Sequence, residues 1–482
     1  MTLTGTLSQT QLTERINACL NDKYKLLAVL DALDGSINSL RAELARRKNE
    51  ESITARLPTE ILAKIFEVVY YSWKPKRRRC SVEMTLAQVS SRWRSVAISI
   101  SALWCNIHVS IARPTGSLQA YLYRSKSRPL SVTFDLRDGD GFALSSAWPS
   151  ILEHSSRWRR LTIKSDSIKL LHRTLGSLRD LSAPTLEELA IQCDDNNEDG
   201  DGPTELDGFH ILLGGAPRLR RFCLDGISRL EHSLDLSTVD TLFIHNIQAS
   251  WPFTEFRPLM ASLSCLTHLS INHNFLATEP LPDQRLVIPT LHTLRLRYHP
   301  QEASYEDVLM GFVTPSLEAL HLVNACEADI DNLLDTLTDV SAAPNLPVSA
   351  TLLPKLNSLV LDGCSLAPDV FRVLASRFPS VKHLTCVQWI RPTFEMLLAS
   401  QYFWQELSSV YLTEALTDLP KLDVHSLRLL RHPLDVLVDQ NKASTSRQMP
   451  RVFFAELSSF KISRELEFMR FPFEFPRWQI VF

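Results

Sequence analysis

The chain has 482 residues, of which 45% are hydrophobic and 22% are charged, and its net charge is −3. This is the composition of an ordinary folded protein, and so small a charge gives no overall field that would attract nucleic acid or a membrane surface. No run of about 18 apolar residues occurs, so we expect no membrane-spanning helix. The length allows two or three domains, or one extended repeat array.

The nine cysteines are scattered along the chain, and no Cys-x-x-Cys pair occurs. An odd and scattered set favours neither a disulfide framework nor a zinc site. The N-terminus also lacks the charged start and apolar core of a secretory signal. We therefore expect reduced thiols in a protein of the cytoplasm, the nucleus or both.

Residues 1–50 carry a long heptad pattern, which predicts a helix in a coiled coil or one docked along another surface. Its ten positions follow alternating steps of four and three residues: Leu12, Ile16, Cys19, Lys23, Leu26, Leu30, Leu33, Ile37, Leu40 and Leu44. Asp34-Gly35-Ser36 is the place where we expect an interruption, because glycine inside a helix costs roughly 1 kcal/mol relative to alanine. A homodimer through this helix and packing onto the chain's own surface are equally good interpretations.

Residues 53–108 contain two short helical patterns. Pro58 suits the first position of a helix, and a wide apolar face follows it. That face consists of Ile61, Leu62, Ile65, Phe66 and Val69, and the second pattern consists of Leu86, Val89, Trp93 and Val96. Two short helices cannot bury that much apolar surface against each other, so part of it should meet a partner.

In these residues the chain resembles an F-box, a helical module that binds the Skp1 adaptor of a cullin–RING ubiquitin ligase. The resemblance implies ten adaptor-binding residues: Leu57, Pro58, Ile61, Leu62, Ile65, Phe66, Leu86, Val89, Trp93 and Trp104. A long insert between the helices departs from a compact F-box. Its basic run, residues 74–79, fits a nuclear import signal, a contact for an acidic partner or a solvated loop.

Strand patterns follow at residues 106–109 and 130–136, and a repeat then begins. The repeat has the form apolar-x-x-apolar-x-apolar, and its central residues are Leu161, Leu189, Phe222, Leu242, Leu269, Leu294, Leu320, Leu359, Leu384 and Val410. Successive central residues are mostly 25 to 28 positions apart, within the range of about 20–29 that marks leucine-rich repeats. The alternation predicts a parallel sheet whose apolar positions face a continuous core.

Residues 109–430 thus resemble an irregular leucine-rich-repeat solenoid, with return helices predicted at residues 330–337 and 370–375. The Asn or Cys of the sharper consensus occurs only at Asn274 and Cys364. Residues 431–482 are predicted to form a C-terminal cap, because the last core layer of a solenoid needs a cover and this tail is rich in aromatic residues. A hydrophobic docking site is the alternative for the tail.

No pattern in the sequence indicates catalysis. Residues 195–200 copy the first half of a calcium loop, but its twelfth position is Leu206 instead of glutamate, so an acidic repeat loop is the better interpretation. The common nucleophile, phosphate-loop and zinc-protease motifs do not occur. We therefore expect no enzyme, no cofactor and no metal.

Substrate recognition is expected on the strand positions that alternate with the core positions. Arginine and aromatic residues are the usual energetic anchors of interfaces. The candidates are Arg221, Phe243, His245, His268, Arg295, Arg297, His321 and Tyr411. The alternative is that these side chains only keep the sheet soluble.

Together these patterns predict an α/β protein with an N-terminal helical segment and a small all-helical F-box, followed by an irregular leucine-rich-repeat solenoid with a parallel sheet. The resemblance implies a substrate-recognition subunit of an SCF-type ubiquitin ligase, which binds Skp1 through the F-box and an unknown protein substrate through the repeats. The alternative is a non-degradative binding scaffold, either adaptor-bound or self-associating through the N-terminal helix.

Overall fold

The computed structural model is a mixed α/β structure. It describes residues 8–72, 81–110, 115–137, 148–194, 211–227, 234–245, 252–272, 285–298, 312–341, 353–364, 366, 368–387, 404, 406–414 and 451–456. The basic run 74–79, the acidic loop 195–200 and the aromatic tail beyond residue 456 lie outside these ranges.

The described residues form ten α-helices. They are α1 (Gln9–Glu51), α2 (Thr59–Ser72), α3 (Val82–Val89), α4 (Ser91–Ser99), α5 (Thr115–Arg124), α6 (Trp148–Leu152), α7 (Ile168–Gly176), α8 (Phe253–Ser262), α9 (Glu327–Ser341) and α10 (Pro368–Arg377). Helices at residues 330–337 and 370–375 are confirmed, since these ranges lie within α9 and α10. Among these helices, none is both long and apolar enough to cross a membrane.

Thirteen parallel strands form one sheet. In spatial order they are β1 (Asn106–Ser110), β2 (Leu130–Asp135), β3 (Trp158–Ser165), β4 (Glu188–Cys193), β5 (Arg221–Asp225), β6 (Thr241–His245), β7 (His268–Asn272), β9 (Thr293–Arg297), β11 (Ala319–Val323), β12 (Ser358–Asp362), β13 (His383–Val387), β14 (Ser409–Glu414) and β15 (Arg451–Glu456). A separate parallel pair consists of β8 (Leu286–Val287) and β10 (Phe312–Val313). The order follows the chain, as successive parallel crossovers require.

The predicted repeat sets the register of this sheet. All ten central residues of the repeat pair in one row, from Leu161 on β3 to Val410 on β14. From β3 to β13 each of them is at most 2% exposed. Burying a side chain of this size stabilises a fold by about 1.5–3 kcal/mol, so this row makes a large contribution to the apolar core of the sheet.

Three strands end in the same kind of turn. Gly226, Asn324 and Gly363 each follow the last residue of a strand with φ of 71°, 56° and 65°. Each donates its backbone N–H to the carbonyl at the end of the next strand, at 2.7–3.0 Å. A Cβ on Gly226 would lie 1.8 Å from the carbonyl oxygen of Cys193, so this position requires glycine.

The chain divides into two compact units. One unit comprises Met1–Cys105 and Ala120–Arg128, and the other comprises Asn106–Gln119 and Pro129–Phe482. The first unit contains α1 to α4, and the second contains the sheet. Helix α1 continues through Gly35 without a break, so the expected interruption does not occur.

Candidate functional site

Helix α2 has two apolar faces. One face is buried, with Leu62 at 1% and Phe66 at 0% exposure. The other face is open to solvent, where Ile61, Ile65 and Val68 are 50%, 41% and 60% exposed. These three residues follow Pro58 at helical spacing and so form one continuous line. We call Pro58, Ile61, Ile65 and Val68 the α2 strip.

The buried face of α2 packs against the two helices that follow it. The rings of Phe66 and Trp93 lie 4.8 Å apart, and Leu86 and Val96 are also buried. Trp104 is fully buried, and its indole N–H donates to the backbone carbonyl of Ala97 at 2.9 Å. The interior of this helical module is thus mainly apolar, and the buried indole N–H of Trp104 is hydrogen-bonded, as buried polar groups must be.

The ten predicted adaptor-binding residues therefore divide into three groups. Four are buried, namely Leu62, Phe66, Leu86 and Trp104. Two are partly buried, Leu57 and Trp93. The other four are exposed: Pro58, Ile61, Ile65 and Val89. The buried four build the module and have no surface to offer a partner. Any direct contact must come mainly from the exposed and partly buried residues.

The module also contains a buried polar contact that the sequence did not predict. Glu83 is 6% exposed, and it accepts a hydrogen bond from the hydroxyl of Tyr121 at 2.6 Å. Tyr121 packs edge-on against Trp104 at 5.0 Å, and the guanidinium of Arg124 lies 4.3 Å above the Trp104 ring. Residues 120–128 thus complete this unit although they are distant in sequence, and no local signal indicates it.

Arg92 on α4 fixes the segment that leads into α2. Its guanidinium donates to the backbone carbonyls of Thr54, at 3.1 Å, and of Ala55 and Leu57. These carbonyls belong to or directly follow the short 3₁₀ turn Ile53–Arg56. A guanidinium presents several donors in a rigid fork, so one side chain can hold three carbonyls and set where α2 begins.

On the sheet, the predicted substrate-binding residues are less accessible than expected. Phe243, His245, Arg295 and His321 are buried, at 3–5% exposure, so the expectation that they face solvent is wrong. Parallel strands lie about 4.8 Å apart, and side chains in one row therefore cover each other. The other four differ: Arg221, His268 and Arg297 are partly buried, and the Tyr411 side chain lies outside the described residues.

Two of these buried polar groups, His321 and Arg295, meet at one carboxylate. Asp362 lies 3.7 Å from the imidazole of His321 and 3.8 Å from the guanidinium of Arg295. Burial lowers the pKa of His321 to about 4, against the opposing effect of Asp362. Burial alone would raise the pKa of Asp362, but its contacts with His321 and the nearby arginines lower it. At neutral pH the cluster therefore holds a neutral imidazole and an ion pair.

His245 is neutral for a similar reason. Burial lowers its pKa well below the ordinary value, and the charges of Arg295 and Arg297 act in the same direction. Its ring nitrogen Nε2 is hydrogen-bonded to the hydroxyl of Ser270 at 2.7 Å. These buried histidines are part of the interior of the sheet and are not free to bind a partner.

An accessible depression lies where strands β3 to β5 begin. Its volume is about 790 Å³, and its charged lining consists of Arg159, Arg160, Arg218, Arg220, Arg221, Glu187, Glu188 and Asp240. Five arginines against three acidic residues leave an excess of two positive charges. We call this site the arginine depression.

Ion pairs order the wall of the arginine depression. Glu188 bridges Arg160 at 2.8 Å and Arg221 at 2.6 Å, and Arg159 pairs with Glu187 at 2.7 Å. This last hydrogen bond raises the pKa of Arg159. Arg218 and Arg220 of the same depression are exposed to solvent. Of the predicted substrate-binding residues, Arg221 alone is placed here.

No family model matches the chain, and the search of curated proteins also found no match. The resemblances to an F-box and to leucine-rich repeats therefore rest on the individual residues and motifs of this sequence. Within the described ranges, no group of three or more His, Cys, Asp or Glu side chains could hold a metal ion. The α2 strip and the arginine depression are the surfaces on which we base a function.

Proposed function

We propose that this protein is the substrate-recognition subunit of an SCF-type ubiquitin ligase, a complex of Skp1, a cullin and an F-box protein. In this proposal the α2 strip binds a Skp1-like adaptor, and the sheet unit binds a protein substrate. Other subunits make the covalent bond, and this chain raises the effective concentration of the substrate near them.

The observation that carries the proposal is the pair of apolar faces on α2. The motif that resembles an F-box lies on a short helix whose inner face is packed and whose outer face remains open. A line of three large aliphatic side chains at 41–60% exposure is costly in water, and such a patch is typical of a protein-binding site.

The repeats give secondary support. Cys364, one of the two consensus positions, lies directly beyond β12 and its thiol donates to the carbonyl of Leu322 at 3.4 Å. The contact links the exit of β12 to the neighbouring strand β11 and so serves the stacking of repeats. The hydrogen bond of Cys364 is therefore consistent with the resemblance to leucine-rich repeats at this one consensus position.

For the substrate surface we favour the arginine depression over the buried strand positions. Arg218 and Arg220 are exposed, and guanidinium groups bind carboxylates and phosphates through paired hydrogen bonds. The chemistry fits an acidic segment of a substrate protein.

A receptor with Arg218→Ala and Arg220→Ala should lose its substrates but keep the adaptor. The matched control is Lys169→Ala with Arg173→Ala, which removes two exposed cations from α7.

The adaptor contact is tested by co-purification with Skp1. Ile65→Asp places a charge on the α2 strip at a residue that is 41% exposed, and Val373→Asp does the same on α10 at 40% exposure. We expect the first variant to lose the adaptor and the second to retain it, with both chains folded. Equal binding by the two variants would show that the α2 strip is not the adaptor site.

The second candidate function is the non-degradative scaffold, which is favoured by the exposure of α1. In that case the chain would bind partners without entering a cullin complex. Skp1 binding without cullin recruitment would favour this function over the ligase subunit.

A further inference from the structure

Helix α1 is a long helix with no buried residue. It runs from Gln9 to Glu51 and begins with a capping box, in which Ser8 and Gln11 bond reciprocally. At about 1.5 Å per residue it is roughly 65 Å long. Most helices in proteins depend on packing of one apolar face for their stability. The described part of the chain offers α1 no such packing.

The exposed apolar residues of α1 form one seam. Eight large aliphatic side chains of the heptad pattern are 44–71% exposed: Leu12, Ile16, Leu26, Leu30, Leu33, Ile37, Leu40 and Leu44. Packing of α1 along the chain's own surface would have buried this seam. The described residues therefore do not support the interpretation that α1 packs onto its own chain. The seam has a period of 3.5 residues over about 48 Å, which fits a supercoiled partner helix better than a globular surface.

The residue types in the seam specify the kind of coiled coil. If Leu12 is taken as heptad position d, leucine occupies four of the five d positions, and the five a positions hold two isoleucines, two leucines and one lysine: Ile16, Ile37, Leu30, Leu44 and Lys23. Isoleucine at a with leucine at d favours two parallel strands. Gly35 then falls at position f, opposite the seam, where its missing side chain costs no contact. A Cβ added at Gly35 would meet no atom within 4 Å outside the backbone of its own helix.

Charged residues fit the same arrangement. Lys23 is the one charged residue in the seam and lies at position a, and a single lysine there selects register and strand number at some cost in stability. In a parallel pair, Asp22 of one helix flanks Lys23 of the other. Glu43 at position g likewise faces Lys48 at position e. Asp22 pairs with Lys25 at 3.5 Å, and because both side chains are exposed, this ion pair is weak and easily exchanged.

We propose that α1 forms a parallel, in-register, two-stranded coiled coil with α1 of a second copy of this chain. The interface consists of the seam, flanked by Leu20, Leu27 and Val29, which are also exposed. Because the strands are parallel, both copies of α1 end together at Glu51, and both α2 strips begin from the same end of the dimer. The inference does not depend on the adaptor.

The molecular mass of the full chain tests the dimer. Sedimentation equilibrium should give twice 54.7 kDa for the intact chain. Leu30→Glu with Leu33→Glu should give 54.7 kDa, since two acidic pairs would face each other in the seam. Ala28→Glu with Ala32→Glu adds the same charge outside the seam and should remain a dimer. A monomeric intact chain, a trimer, or dissociation of the control would overturn the proposal. Circular dichroism checks that each variant is folded.

Cys19 tests the orientation. It is an exposed thiol at position d, so a parallel register places it opposite its own copy, whereas an antiparallel register places it far away. Oxidised glutathione should convert the two thiols to a disulfide, accepting two electrons and two protons as it is reduced to glutathione. We expect a covalent dimer that Cys19→Ser abolishes. A dimer by mass without a crosslink through Cys19 would overturn the parallel arrangement.

Discussion

Two neighbouring residues of α2 should differ strongly in how much their truncation destabilises the helical unit. Phe66 is fully buried and packs against Trp93, whereas Ile65 beside it is 41% exposed on the α2 strip. Truncation of a buried phenylalanine to alanine costs about 3–5 kcal/mol, because the transfer free energy is lost and a cavity remains. Ile65→Ala should cost about 1 kcal/mol or less, since much of its side chain already contacts water.

The assay is native-state hydrogen exchange of peptides from α2 and α4, because global unfolding of a chain with two compact units has no single free energy. Since each 1.4 kcal/mol corresponds to a factor of ten, a loss of about 3–5 kcal/mol in Phe66→Ala should accelerate exchange there by about 10²- to 4 × 10³-fold. Ile65→Ala should change it by less than about tenfold and should weaken adaptor binding. Equal acceleration by both variants would refute the two-faced description of α2.

Three further predictions concern stability. Gly226→Ala should lower the melting temperature of the sheet unit and cost more than about 1 kcal/mol, because the new Cβ meets the carbonyl of Cys193; an unchanged melting temperature would contradict the turn geometry. Tyr121→Phe should destabilise the helical unit by about 1–3 kcal/mol, measured by hydrogen exchange, since buried Glu83 loses its hydroxyl partner. His321 has a pKa of about 4 in the folded protein, below its value of about 6.5 in the unfolded chain. As the pH falls, the histidine of the unfolded chain therefore takes up a proton first, and the stability of the fold should decrease from about pH 6.5 to pH 4. His321→Gln should flatten this dependence, and an unchanged slope in urea titrations would contradict it.

The core of the sheet could be predicted from the sequence because its signal is periodic. The apolar-x-x-apolar-x-apolar pattern marks residues such as Leu189 and Leu294 for one face of a strand, and the backbone then places them in one row. The strand β15 was not predicted. It lies 37 residues beyond the end of β14, past the weakening of the repeat, where spacing no longer identifies a strand.

The other face of the sheet could not be predicted in the same way. The sequence indicates which side chains alternate with the core, but not how closely their neighbours cover them. Arg295 and His321 appear polar and therefore exposed, yet both pack around Asp362 on another strand. Such contacts depend on the order and register of strands, which join residues far apart in the chain.

The helical unit shows the same limit at short range. Helical spacing groups Ile61, Leu62, Ile65 and Phe66 into one wide face, and only tertiary packing divides that face into an inner and an outer half. The Tyr121 hydroxyl that holds Glu83 comes from 38 residues away, where no local pattern indicates it.

The central claim is that this chain joins a cullin complex through an adaptor. The most direct test is gel filtration of the intact chain with purified Skp1 and the adaptor-binding half of a cullin. The account predicts one peak that contains all three proteins, and a mixture with the Ile65→Asp chain should leave that chain in a separate peak. A folded intact chain that elutes apart from Skp1 and the cullin would contradict the claim.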